Sequence, residues 1–113
     1  MHLLINDKKR INVELCDTFL KKFKGLMFSS KPMNLLFILK KESRLNSSIH
    51  MMFVFFPIDV FWLDKNMKVI DSKLNVKSFT LGHSPKAAAK YILETPVGEL
   101  KELKLKDKLI LRD

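Results

Sequence analysis

The sequence predicts a mainly-β fold: a small barrel-like or sandwich domain of about seven short strands, with one N-terminal amphipathic helix packed on it. An α+β description fits the same elements. Three observations predict it. Apolar residues fall in short runs or in alternation with polar ones, the pattern of strands. Only one window, beginning at Asp17, changes to a helical period. The chain has 113 residues, near the commonest domain size, with no repeat and no Pro/Gly/Ser linker to divide it, so residues 1–113 read as one domain.

Leu3 to Ile5 and Ile11 to Leu15 are part-alternating segments around the polar Asn6–Asp7–Lys8–Lys9 group, which predicts a hairpin. Phe19, Leu20, Phe23, Leu26 and Met27 then form one helical stripe, with Lys21, Lys22 and Lys24 on the other face. Asp17 or Thr18 can cap this helix and Gly25 lies near its end. After the turn cluster Ser29–Ser30–Lys31–Pro32, Leu35 to Leu39 reads as a buried strand and the polar residues 40–48 as a loop.

Ile49 to Leu63 is apolar on both parities, so a strand here is covered on both faces, and Pro57 marks a bend within it. Asp64–Lys65–Asn66 is a turn. From Val69 to Val76, Ile70, Ser72, Leu74 and Val76 alternate with Asp71, Lys73 and Asn75, which predicts a half-exposed strand with Asp71 outward. Lys90 to Leu93 and Lys108 to Leu111 are two further strands. Pro96 and Gly98 punctuate the loop between them, with a helical turn around Glu99 to Leu103.

Composition excludes several classes. Apolar residues make up 47% and Gly only three positions, which rules out disorder and collagen-like repeats. Cys16 is the single cysteine, so no intrachain disulfide and no cysteine zinc cluster can form. The apolar stretch from Ile49 to Leu63 is shorter than a membrane helix and contains His50, Pro57 and Asp59. No signal peptide is legible near Leu3–Ile5, and the expectation is a cytoplasmic protein with no membrane partner. Lys and Arg number 21 against 12 acids, for a net charge of +9. Residues 1–45 hold ten of these bases against four acids, whereas residues 46–75 balance at three and three.

Several segments together resemble a known family. Gly25–Leu26–Met27–Phe28 leads into Leu35 to Leu39, and Ser48–Ile49–His50–Met51–Met52–Phe53–Val54–Phe55–Phe56–Pro57–Ile58–Asp59–Val60 runs on to Leu63–Asp64. Lys90–Tyr91–Ile92–Leu93–Glu94 and Pro96–Val97–Gly98 follow near the end. In order and spacing, from about Asp17 onward, these resemble the small prokaryotic domain-of-unknown-function family 192. The resemblance implies a compact, mostly β, barrel-like domain and carries over no reaction, substrate or cofactor. It matches the family's His, Pro and Asp with His50, Pro57 and Asp59, and its late glutamate with Glu94. Two departures stand out. Met and Phe occupy the middle of the central block, where many members carry Arg or Lys, which removes any anion-binding role for that base. Lys106–Asp107 stands where many members have a Gly-Asp turn.

His50, Asp59 and Glu94 are the candidate pocket residues, because each is a polar group in an apolar run. In one reading Asp59 orients His50 and leaves its other ring nitrogen for a substrate proton, with Glu94 at the rim. In the other, Asp59 accepts backbone N–H bonds at a turn, His50 is a satisfied core histidine and Glu94 pairs with a surface lysine. An uninterrupted strand would place His50 and Asp59 on opposite faces, and a bend at Pro57 lifts that constraint. No zinc-type spacing, nucleophile elbow or glycine-rich phosphate loop is present, so no metal and no cofactor are expected.

These residues predict a small binding or accessory module for a small ligand, with enzymatic activity left open. The alternative is a nucleic-acid-binding module in which Lys21, Lys22, Lys24, Lys40, Lys41 and Arg44 meet phosphates.

Overall fold

Leu3, Ile5 and Ile11 alternate with Leu4, Arg10 and Asn12, and this period of two fixes which face of the first hairpin is buried. The computed structural model describes residues 1–6, 9–16, 34–43, 57–77 and 84–112. They contain eight strands: β1 His2–Ile5, β2 Lys9–Asn12, β3 Glu14–Cys16, β4 Leu35–Ser43, β5 Ile58–Leu63, β6 Val69–Val76, β7 Ala89–Pro96 and β8 Leu109–Arg112. The smaller sheet has three strands in the order β2-β1-β8, and the larger has five in the order β3-β4-β7-β5-β6. All pairs are antiparallel except β3 with β4.

The mainly-β class holds. Among the described residues the strands form two open sheets and no closed barrel, which corrects the barrel-like expectation. No helix is present among the described residues, so the packed N-terminal helix finds no support there. Its predicted stripe, Phe19 to Met27, lies outside those residues. Among the described residues no helix is long and apolar enough to cross a membrane.

The two sheets pack through one core. Leu3, Ile5, Ile11 and Leu109 from the smaller sheet meet Leu36, Phe61, Leu63, Val69 and Leu93 from the larger. Leu100 and Leu103, from the turns between β7 and β8, close the same core. A second buried cluster lies on the opposite face of the larger sheet, built by Leu35, Phe37, Ile58, Val60, Trp62, Val76, Ala89 and Ile92. Strand β5 is central to both. It lies between β7 and β6, and every residue from Ile58 to Leu63 is buried, as an apolar run on both parities requires.

Two local differences from the sequence reading have physical reasons. Residues 40–43 of the predicted 40–48 loop belong to a strand, because β4 continues through Ser43. Its pairing with β7 becomes irregular after Ile38, which lets the exposed Lys40, Lys41 and Glu42 belong to a strand. In β6 two residues depart from the predicted alternation, while Lys73 and Asn75 are exposed and Val76 is buried as expected. Asp71 is buried and Leu74 is 60% exposed, because register shifts against β5 at two points break simple alternation.

The chain passes between sheets without a linker. Val13 N–H donates to the Met1 carbonyl at 3.0 Å, and the next residue, Glu14, donates to the Asn34 carbonyl at 3.0 Å. A second seam joins the turn before β6 to the turn before β8. There Lys106 N–H donates to the Val69 carbonyl at 2.8 Å, Val69 N–H to Asp107 at 2.8 Å, and Leu109 N–H to Met67 at 2.9 Å.

Candidate functional site

The regular register between β5 and β7 places Asp59 opposite Thr95 and Val60 opposite Glu94. Directly opposed residues share a face and successive residues alternate, so Asp59 and Glu94 lie on opposite faces of the larger sheet. Asp59 shares the inter-sheet face with Phe61 and Leu63, and Glu94 shares the other face with Leu35, Val60 and Ile92.

Asp59 is 2% exposed. Its Oδ1 accepts the Asn75 N–H at 2.8 Å and its Oδ2 accepts the Gly98 N–H at 2.9 Å. Both donors lie in backbone that no strand ladder satisfies: Asn75 has φ +54° and Gly98 φ +84°. A Cβ at Gly98 would meet nothing within 4 Å, so the glycine answers to its left-handed φ and not to space. One carboxylate thus ties the end of β6 to the turn after β7.

Glu94 is also buried, on the other face, and burial pushes its carboxyl up from 4.5 to about 7. Its proton is therefore held or released near neutrality, the property a hydrogen-bond donor or general acid–base group needs. Trp62 stands two residues along β5 from Val60, on Glu94's face, opposite Ile92 on β7 and Asp71 on β6. The indole is fully buried. Asp71 accepts the Ser72 N–H through Oδ1 at 2.8 Å and the Lys86 N–H through Oδ2 at 2.9 Å. It thereby fixes the segment that enters β7, the strand that carries Glu94.

Of the residues singled out from the sequence, Asp59 and Glu94 are placed on opposite faces, and His50 lies outside the described residues. Lys40 and Lys41 are exposed on β4, where the Lys40 carbonyl accepts the Lys90 ammonium at 2.8 Å. Lys21, Lys22, Lys24 and Arg44 lie outside the described residues. Among the described residues, no three His, Cys, Asp or Glu side chains converge to hold a metal ion. Sequence reasoning missed Asp71, because strict alternation assigned it outward. The single tryptophan in an apolar run was the signal that could have drawn attention to this face.

These features define a class: a small two-sheet β protein with carboxylates buried on both faces of its larger sheet. The chain belongs to DUF192, the family described as "Uncharacterized ACR", whose model matches residues 1–110. It is similar to a UPF0127 protein of Thermococcus kodakarensis, at 43% identity over 110 residues, covering 93% of this chain and 69% of that protein. Among solved structures it is similar to a protein of unknown function from Novosphingobium aromaticivorans, with TM-score 0.86 and 17% identity, covering 97% of this chain and 84% of that one. A Sinorhizobium meliloti protein described as a candidate transcription regulator aligns with TM-score 0.82 and 17% identity, covering 96% and 89%. At such identity these structures share the fold alone. The family is uncharacterised, and no specific function follows from membership.

Proposed function

We propose that the protein is a small-ligand binding module whose site lies on the Trp62 face of the larger sheet. One observation carries this reading: Glu94 is a buried carboxyl among Leu35, Val60 and Ile92, with its pKa raised to about 7 by burial. Apolar walls with few placed polar groups are the usual makeup of a small-molecule site. The carboxyl in its protonated form donates one hydrogen bond and accepts others. That chemistry suits an uncharged ligand with an apolar body and an amide, carbonyl or hydroxyl head. Trp62 supplies a flat wall beside it, and Asp71 holds the entry to β7 in place.

His50 is kept in the proposal as a second polar group of the site, on the strength of its place in the central block. Asp59 serves as scaffold in this reading, since both carboxylate oxygens are engaged by backbone N–H groups. A thermal-shift screen of small neutral molecules tests the proposal. The expected result is a ligand whose shift survives Glu94→Gln in part and disappears in Glu94→Leu and His50→Ala, with all three variants folded. A ligand shift of full size in Glu94→Leu would remove the site from this face.

A further inference from the structure

The smaller sheet turns Leu3, Ile5, Ile11 and Leu109 to the core, which leaves its other face uncovered by the larger sheet. Register sets what that outer face presents. Leu4 stands between Arg10 on β2 and Ile110 on β8, and His2 stands between Asn12 and Arg112. Lys108 shares the parity of Ile110 and Arg112 and is bridged to Lys68. The face therefore has an aliphatic centre, Leu4 and Ile110, with Arg10, Arg112, Lys108 and Lys68 around it. All four cations are exposed, and Ile110 is 40% exposed.

Among the described residues, no acid stands in these rows. The neighbouring carboxylates are engaged elsewhere: Asp64 Oδ1 accepts the Asn66 and Lys68 N–H groups at 2.8 and 3.0 Å. Asp107 Oδ2 accepts the Lys104 N–H at 2.9 Å. Lys9 has the opposite parity on β2, and its ammonium turns to Glu102 at 3.6 Å and to the Glu99 carbonyl. In the turn before β8, Lys104, Leu105 and Lys106 are all exposed, with Leu105 at 55%. Lys106 holds φ +73°, a conformation that favours glycine.

We propose that this outer face is a docking surface for an anionic lipid bilayer. Cations around an aliphatic centre match a bilayer surface in both charge and polarity: lysine and arginine meet headgroup phosphates while leucine and isoleucine enter the interface. A short sheet presents these groups in one plane. Nucleic acid fits less well, because the centre of the face is aliphatic and the one ring in these described rows, His2, is only part-exposed. A peripheral contact of this kind needs no spanning segment.

The test is co-flotation of the whole chain with mixed phosphatidylcholine–phosphatidylglycerol vesicles and with pure phosphatidylcholine vesicles. Binding is expected only to the mixed vesicles, and to weaken as salt is added. Each cation at such a surface is worth about fivefold in affinity, so the double variant Arg10→Glu, Arg112→Glu should lose at least about twentyfold. Ile110→Ser should weaken binding, and Lys73→Glu, on exposed β6 surface, should not. Lys106→Gly relaxes its own backbone and guards against misfolding; it should lose about fivefold. Absence of binding to mixed vesicles at low salt overturns the proposal, as does equal binding to both vesicle types. Equal losses in the Lys73 and Arg10/Arg112 variants also overturn it. So does a single-stranded oligonucleotide bound through this face by a chain that leaves vesicles free.

Discussion

Asp59 and Glu94 are close to a controlled comparison within one molecule. Both are carboxylates on adjacent central strands of one sheet, 2% and 8% exposed, on opposite faces. Asp59 accepts two backbone N–H groups, and its burial is compensated where it stands. At Glu94 the desolvation dominates and the carboxyl rises to about 7. Depth alone therefore does not decide what a buried acid is for. Local backbone does: the inter-sheet face has irregular turns with N–H groups to offer, whereas Glu94 sits between regular ladders whose amides are already paired.

The comparison is tested most severely at Asp59. Asp59→Ala leaves two part-buried backbone donors without their acceptor and should destabilise the protein by about 3–5 kcal/mol in urea unfolding. A loss below about 1 kcal/mol would remove the scaffold assignment. Glu94 should appear next, as a pH dependence. Its folded pKa lies above the ordinary value of 4.5, so between about 4.5 and 7 the native state binds more protons than the unfolded chain. Its contribution is fully present below pH 4.5 and is lost as pH rises through about 7, for a total of about 3 kcal/mol. Unfolding measured from pH 4.5 to 8 should show this decline in the native chain and not in Glu94→Gln.

Asp71 gives the intermediate case, a carboxylate on Glu94's face that has two backbone donors. Asp71→Ala should cost about 2 kcal/mol, less than Asp59→Ala, because the Ser72 contact is to its own neighbour. The smallest effect should be a gain. Lys106→Gly removes a side chain from φ +73° and should stabilise by about 0.5–1 kcal/mol, seen as a raised Tm.

The sequence was most readable where periodicity was unambiguous. The two-sided apolar run of Ile58 to Leu63 became the central strand, and the Asp64–Lys65–Asn66 turn stands where its residues demanded. The Asp59 reading as a turn-ordering acceptor came from residue type alone. Asp71 was illegible for a specific reason: a bulge opposite Trp62 and Leu63 shifts β6, and no pattern in Val69 to Val76 reports the partner strand's irregularity. The opposed faces of Asp59 and Glu94 were likewise hidden, because the register between two strands is a property of the pair. The choice between a barrel-like and a sandwich arrangement was not legible, since short strands with turn signals fit open sheets and barrels alike.

The seams between the sheets have a consequence for how the molecule breathes. Val13 and Glu14 are adjacent in the chain and pair with different sheets, and Lys106 to Leu109 interlocks with Met67 to Val69 at the second junction. Neither sheet can open without stripping amides from the other. Native-state hydrogen exchange should therefore find the amides of β1 and β5 released together, in one cooperative event, instead of as two foldons of separate stability.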